Sequence, residues 1–346
     1  MGLARNALIA ASQSRWLREH AMRWRFVRRA SRRFLPGERY EDALAAASEL
    51  AELGITSMLS RVGENITNAA EAEAVTDHYI TVIGAMWAAG LEPSLSVKPT
   101  QLGLDFDAGL CERNLDRIFK AAQYPNLIPS EQAPLSRTQG GTMGADPSRK
   151  SPPTVGAYIK RGIIWIDMES SAYVDRTLEL YRRISARHSY TGICLQSYLR
   201  RTPADIDSLI PHLAVIRLVK GAYREPPSIA FPDKRDVDEA YFALADKLLS
   251  KPALDADVRT AFATHDPIMI ERIVQLAKSR GQGRLGTNIG FQMLYGIRRD
   301  LQRQLAADGW PVSVLISYGT YWFPWYMRRL AERPANVWFV LKNLFG

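Results

Sequence analysis

The sequence predicts an α/β fold, a single (β/α)8 barrel of the TIM type. Short apolar segments alternate with amphipathic segments from about residue 40 to the end of the chain. This alternation is expected of strands that helices bury on both faces. Eight such strands, each followed by a helix, close into a parallel barrel. An open doubly wound sheet is the alternative, but no G-x-G-x-x-G motif begins a helix here.

The elements follow one another in regular order. The predicted strands are 55–59, 94–98, 163–167, 193–198, 215–220, 260–265, 284–289 and 312–317. The predicted helices are 42–53, 71–89, 112–122, 173–186, 204–210, 237–249, 267–279, 292–306 and a last, substrate-capping helix at 324–332. The pair Thr202-Pro203 suits the start of the fifth helix, as an N-cap followed by proline in the first turn.

Two segments stand apart from this pattern. Residues 1–37 form a basic helical arm before the barrel domain, 38–346, because they hold nine arginines and one acid, Glu19, a local +8 of the chain's +9. Three interpretations of the arm stay open: a solvated helix packed on the barrel, a contact with an anionic membrane surface, and a transit peptide. Residues 124–156 are rich in proline and glycine and predict a flexible insertion.

Composition excludes several classes of protein. No run of about 18 apolar residues is present, so we expect no membrane-spanning helix. The two cysteines, Cys111 and Cys194, have no metal-type spacing and no pair of histidines does, so we expect no metal site and no disulfide framework. The basic charge is local, which makes a nucleic-acid binder the weakest alternative. A cytoplasmic protein fits these features.

Polar residues end five of the predicted strands. They are Lys98, Asp167 with Glu169, Gln196 with Tyr198, Arg217 with Lys220, and Thr264 with His265. Barrel enzymes carry their chemistry at this end of the strands, so the pattern predicts a lined pocket. Three of these residues also have an interpretation without a function in catalysis or binding. Lys98 would be a lysine at the rim, and Asp167 and His265 would cap the helices that follow them. A barrel lyase with Lys98 or Lys220 as a Schiff-base nucleophile is a further alternative.

Two features indicate the ligands of this pocket. Gly221-Ala222 directly follows a strand, where small residues let the backbone approach a phosphate or planar ring, and Lys220 supplies positive charge for a diphosphate. Arg328 and Arg329 lie on the last helix, among aromatic residues that exclude water. With Lys98 they would select a carboxylate, since each charge-assisted hydrogen bond is worth about 1.5–3 kcal/mol. The structural alternative is a surface salt bridge with Glu332.

From residue 54 to the end, the chain resembles proline dehydrogenase, the FAD-dependent barrel family, and in particular its bacterial members with this single activity. The matching stretches, in family order and spacing, are 62–65 (VGEN), 98–103 (KPTQLG), 166–169 (IDME), 195–199 (LQSYL), 217–223 (RLVKGAY), 263–265 (ATH), 291–296 (FQMLYG) and 328–332 (RRLAE).

The resemblance implies a role for each matching residue. Lys98, Arg328 and Arg329 would bind the substrate carboxylate, Asp167 would orient them, and Arg217 would reach the flavin near its reactive N5 atom. The FAD-binding residues would be Met168, Gln196, Lys220, Gly221, Ala222, Thr264 and His265. The implied reaction is oxidation of L-proline to 1-pyrroline-5-carboxylate, the first step of proline degradation to glutamate. The implied acceptor is a membrane quinone, and the basic arm would hold the enzyme at the inner face of a bacterial plasma membrane.

The sequence departs from the family at positions that would face the ring of the substrate. The family tyrosine that packs on the proline ring is Leu315 here, the tyrosine before the arginine pair is Trp325, and a family glutamate is Gly290. A looser ring side admits a second interpretation, a dehydrogenase of 4-hydroxyproline or another cyclic imino acid.

Overall fold

The computed structural model describes residues 33–63, 66–123, 162–282 and 288–323. Its strands form one closed barrel in the sequence order β1 to β8, and every neighbouring pair is parallel. The barrel closes where β8 pairs with β1, in a register that sets Thr56 opposite Ser313 and Arg61 opposite Tyr318. The predicted fold class is therefore confirmed.

The elements alternate along the chain. The strands are β1 (Thr56–Arg61), β2 (Leu95–Val97), β3 (Ile164–Ile166), β4 (Thr191–Gln196), β5 (Val215–Val219), β6 (Arg259–Ala263), β7 (Ile289–Leu294) and β8 (Val312–Tyr318). The described helices are α1 (Tyr40–Ala51), α2 (Ala69–Ala88), α3 (Ala108–Gln123), α4 (Val174–Ser185), α5 (Thr202–Leu209), α6 (Lys234–Leu248), α7 (Lys251–Asp255), α8 (Pro267–Ser279) and α9 (Arg299–Ala307).

The prediction for the seventh strand is wrong. The sequence pattern predicts a strand at 284–289 and a helix from 292, whereas the observed strand is Ile289–Leu294 and the helix begins only at Arg299. The segment 289–294 pairs with β6 and β8 together, which sets Phe291 between Phe262 and Val312. Periodicity alone does not separate a short apolar strand from the first turn of a helix. The short helix α7 was not predicted.

Two layers of apolar side chains hold the barrel together. The larger one lies between the strands and the surrounding helices and includes Phe262, Phe291 and Tyr241. The smaller one fills the barrel interior with Met58, Ile163, Trp165, Val215 and Ala261, and Leu315 packs against it. The interior is therefore a packed core, and a ligand has room only above it, at the carboxyl ends of the strands. We call that end the mouth of the barrel.

The chain enters the barrel across this mouth. Phe34 and Leu35 are buried, and the carbonyl oxygen of Arg33 lies where a Cβ on Gly296, just after β7, would stand. The indole nitrogen of Trp322, after β8, donates to Glu38 at 3.0 Å. The last residues of the predicted arm are thus packed on the β7–β8 side of the mouth.

Several predictions fall outside the described residues. They concern residues 1–32 of the arm, the insertion at 124–156, and the last helix at 324–332 with Arg328, Arg329 and Trp325. Among the helices that are described, none combines the length and the apolar character needed to cross a membrane.

Candidate active site

Asp167 joins the ends of three strands. It follows β3, and its Oδ1 atom accepts hydrogen bonds from the Ser96 hydroxyl at 2.6 Å and from the Arg217 guanidinium. Its Oδ2 atom accepts from Lys98 Nζ at 3.2 Å. The Arg217 guanidinium also donates to Ser96 at 3.0 Å. Three residues predicted for the site thus lie in one hydrogen-bonded cluster.

The Arg217 side chain is held on its other sides by the interior core. Only 5 % of the residue is exposed. Its Cζ atom lies 5.0 Å from the centroid of the Trp165 ring, and one terminal nitrogen lies 3.4 Å from Met58 Sδ. The Trp165 ring in turn occupies the space where a Cβ on Gly192 would stand, at 2.4 Å. Packing therefore fixes the position of this guanidinium, and little freedom remains to be lost when a ligand binds.

Mutual attraction keeps the cluster charged. Burial opposes the charged form of Asp167, but the cations Lys98 and Arg217 and the Ser96 hydroxyl outweigh it and lower its pKa. Burial likewise opposes the charged form of Lys98, and the carboxylates of Asp167 and Glu169 outweigh it and raise its pKa. Lys98 is therefore a protonated cation, about 30 % exposed. This state suits carboxylate binding and disfavours the Schiff-base alternative, which needs a free amine.

Glu169 connects the ends of β2 and β3 a second time. Its carboxylate accepts from the backbone nitrogen of Thr100 at 3.0 Å and from the Thr100 hydroxyl at 2.8 Å. Burial is the largest influence on its pKa, which is raised. The two bonds fix the loop that follows Lys98, so the lysine extends from a rigid support.

Two residues predicted to bind the cofactor, Gln196 and Gly221, lie at the ends of β4 and β5. Gln196 donates through Nε2 to the carbonyl oxygens of Met168 and Glu169, at 3.3 and 3.2 Å. Its Oε1 atom is buried with no hydrogen-bond partner. Gly221 has φ +113°, and a Cβ there would lie 2.2 Å from the Tyr198 ring. The position therefore requires glycine, because the Tyr198 ring occupies the space of a side chain.

The remaining cofactor candidates lie on the same side of the mouth. The backbone nitrogen of Leu294 donates to His265 Nε2 at 2.9 Å, so in the neutral ring the proton sits on Nδ1. Thr264 is buried, and Ala222 is exposed beside Gly221. Lys220 contacts the carboxylates of Asp238 and Asp266. The positive charge predicted for a diphosphate is thus compensated by two acids.

Sequence reasoning missed Ser96, Trp165 and Met58. Ser96 could have been found, because it stands two residues before Lys98 and side chains two apart share one face of a strand. The contacts of Trp165 and Met58 with Arg217 join residues far apart in the chain and left no local signal. Among the described residues, no group of three or more histidine, cysteine, aspartate or glutamate side chains could hold a metal ion.

Leu315 lies on the inner side of β8. The barrel register sets it beside Met58 on β1 and Leu294 on β7, and it is only partly buried. The side of the mouth next to Arg217 is therefore apolar at this point, where the resemblance leads one to expect a tyrosine.

A closed parallel barrel with a packed interior and a charged cluster at its mouth defines an α/β-barrel enzyme. The comparison with protein families identifies which one. Residues 43–342 match the model of the proline dehydrogenase family. The chain therefore belongs to the proline dehydrogenase family. This membership favours the proline dehydrogenase interpretation over the barrel lyase and the nucleic-acid binder.

Relatives of known name support the assignment along the whole chain. The chain is 31 % identical to proline dehydrogenase 2 of Bacillus subtilis subsp. natto over 344 residues, which is 99 % of each chain. It is 36 % identical to proline dehydrogenase of Deinococcus radiodurans over 318 residues, 90 % of this chain and 89 % of that protein. Among solved structures, proline utilization A of Bdellovibrio bacteriovorus superposes with a TM-score of 0.70 at 20 % identity, covering 88 % of this chain and 33 % of that one.

Proposed function

We propose that this chain oxidises L-proline to 1-pyrroline-5-carboxylate with FAD as cofactor, in the cytoplasm. The cluster of Lys98, Asp167 and Arg217 at the mouth is the observation that carries the proposal. It presents a protonated lysine toward a small anionic substrate and a rigid guanidinium beside it. Relatives that are named proline dehydrogenase and align over 99 % and 90 % of this chain support the same reaction.

The residues between β4 and β6 fit a flavin. The unpaired Oε1 atom of Gln196 can accept a hydrogen bond from a ring N–H. Gly221, where the Tyr198 ring excludes a side chain, leaves the end of β5 without a side chain that could obstruct a planar ring or a phosphate. Met168, Lys220, Ala222, Thr264 and His265 complete the proposed FAD-binding set. When bound, FAD would supply the hydride acceptor.

The side chains of the cluster have separate tasks in this proposal. Lys98, together with Arg328 and Arg329, binds the substrate carboxylate and so fixes which ring carbon faces the flavin. Asp167 keeps Lys98 and Arg217 charged and in place. Arg217 provides a fixed positive charge next to the flavin and favours the added negative charge of reduction.

Flavin reduction under anaerobic conditions tests the proposal. L-Proline should bleach the flavin absorbance, and pyrrolidine, which lacks the carboxylate, should not. Lys98→Met should raise the concentration for half-maximal reduction roughly 10- to 100-fold, as expected for one lost charge-assisted bond. Lys120→Met, which removes an exposed lysine on α3, is the matched control. Equal reduction by proline and pyrrolidine would show that the carboxylate is not recognised.

Oxidation of 4-hydroxyproline or another cyclic imino acid is the second candidate function. Leu315 favours it, because an aliphatic side chain next to Met58 leaves more room above the ring than a tyrosine would. Comparing flavin reduction by L-proline and trans-4-hydroxy-L-proline decides between the two: a ratio near one supports the broader activity.

The proposed partners are a membrane quinone and, through the basic arm, the anionic membrane surface. A liposome sedimentation assay tests the arm. Because Phe34 and Leu35 pack on the barrel, the truncation should remove residues 1–32 only. The full chain should sediment with anionic vesicles, and the truncated chain should remain in the supernatant. Equal partitioning of the two would leave the arm without this role.

A further inference from the structure

A cavity lies at the rim of the barrel, between α1, α2 and the seam where β8 meets β1. Its volume is about 290 Å³. It is lined by residues 38–41 at the start of α1, by Arg61 at the end of β1, by His78 on α2 and by residues 318–320. None of these residues takes part in the cluster around Asp167 or in the proposed FAD-binding set.

The inner wall of this cavity is aromatic and holds a hydrogen-bonded pair. His78 Nε2 lies 2.9 Å from the Tyr318 hydroxyl, and the two ring centroids are 5.7 Å apart. The Tyr40 ring packs edge-on against His78, at 6.0 Å between centroids. Burial first and the charge of Arg61 second lower the pKa of His78 to about 4, so the imidazole is neutral at neutral pH. The wall therefore offers neutral donors and acceptors.

The charges of the lining cancel. Two acids, Glu38 and Glu41, stand beside two bases, Arg39 and Arg61. Arg39 is paired with Glu41 at 2.8 Å, and Glu38 accepts from the Trp322 indole. Within the described part of the chain, the Arg61 guanidinium forms no salt bridge. The lining thus has no net charge, and Arg61 remains available to donate to an oxygen acceptor.

We propose that this cavity binds the quinone head group that receives the electrons of proline oxidation. A quinone is a neutral planar ring with two carbonyl oxygens, which matches an aromatic wall, Arg61 as donor and the His78–Tyr318 pair. The inference rests on the proposed function. Proline loses two electrons and two protons to become the pyrroline, and the quinone gains two electrons and two protons to become the hydroquinone.

The cavity lies at the same end of the barrel as the proposed flavin site. Eight strands about 4.8 Å apart, tilted by about 36°, give a barrel about 15 Å across. The proposed flavin site between β4 and β6 and the cavity at the β8–β1 seam lie at the same end of this barrel, and the Tyr318 side chain faces the surrounding helices rather than the barrel interior.

Separate measurement of the two half-reactions tests the proposal. In Arg61→Met, proline should reduce the flavin at the wild-type rate, whereas reoxidation by a short-chain quinone should need a roughly 10- to 100-fold higher concentration for half saturation, because a charge-assisted bond is lost. Tyr318→Phe should slow the same step while leaving reoxidation by ferricyanide unchanged. Arg113→Met, on the exposed face of α3, is the matched control. Wild-type quinone kinetics in Arg61→Met would overturn the proposal.

Photoaffinity labelling gives a readout that does not depend on turnover. An azido-quinone should label peptides containing residues 38–41 or 318–320, and excess unlabelled quinone or Arg61→Met should suppress the labelling. Labelling confined to other peptides would place the acceptor elsewhere and refute the assignment. The two proposals can fail separately. If proline does not reduce the flavin of the wild-type protein, the proposed function is wrong, but the labelling experiment still shows whether a quinone binds in the cavity.

Discussion

Asp167→Asn removes the negative charge that the Lys98 and Arg217 side chains share. The substitution keeps the shape of the side chain but leaves two cations together with no counter-charge. Breaking a buried ion pair by removing one partner costs about 3–5 kcal/mol. Because Lys98 is 30 % exposed and Asp167 18 %, water screens part of this loss. We therefore expect a loss near the lower limit, about 3 kcal/mol of unfolding free energy, or roughly a 100-fold shift in the folding equilibrium.

Urea unfolding followed by circular dichroism, at equal flavin content, measures this loss. Asp175→Asn is the matched control, since Asp175 pairs with Arg201 at 2.6 Å on the surface, where its side chain is 82 % exposed. An exposed pair contributes about 0–1 kcal/mol. The double variant Asp167→Asn with Lys98→Met should recover part of the loss, because it removes one of the uncompensated cations. A loss below about 1 kcal/mol in Asp167→Asn would refute the argument that this charge holds the cluster together.

The difference in unfolding free energy between wild type and Asp167→Asn should depend on pH. The pKa of Asp167 is lowered in the folded protein by Lys98 and Arg217 acting against burial, whereas an aspartate in the unfolded chain has a pKa of about 3.9. A lowered folded-state pKa contributes stability that is present above about pH 4 and is lost as the pH falls through the folded-state value. The difference between wild type and Asp167→Asn should therefore be full at pH 7 and shrink below pH 4. A difference that grows on acidification would contradict this sign.

Two further substitutions test the flavin side and the ring side of the site. Gly221→Ala should lower the unfolding free energy by about 1–3 kcal/mol and reduce the bound flavin, because its φ of +113° and the Tyr198 ring both exclude a Cβ. Gly54→Ala, with φ +72° and no atom within 4 Å, is the control for strain without collision, and equal losses in both would mean that the ring contact is unimportant. Leu315→Tyr should raise the preference for proline over 4-hydroxyproline in kcat/KM by about 10-fold, as expected for a side chain that fills space beside Met58. An unchanged ratio would remove Leu315 from the specificity of the site.

Local patterns account for what could be predicted of the fold. The alternation of short apolar strands with amphipathic helices predicts the barrel, and a barrel places its chemistry at one end of the strands. This placement directs attention to Lys98 and Asp167, whereas the role of Arg217 is predicted from the family resemblance. The seventh strand shows where local pattern fails: segment 289–294 is a strand because β6 and β8 flank it, and pairing between distant segments is invisible in a window of neighbouring residues.

The sequence by itself therefore determined the family, the fold and the residues at the strand ends. Only the tertiary structure decided which of these side chains act together. Asp167 bonds to Ser96, 71 residues before it, and to Arg217, 50 residues after it, while Arg217 contacts Met58, 159 residues away in the chain. Closure of the barrel brings these residues within hydrogen-bonding distance, and burial then makes their charges interdependent. A local stretch of sequence does not show which of these distant residues come into contact.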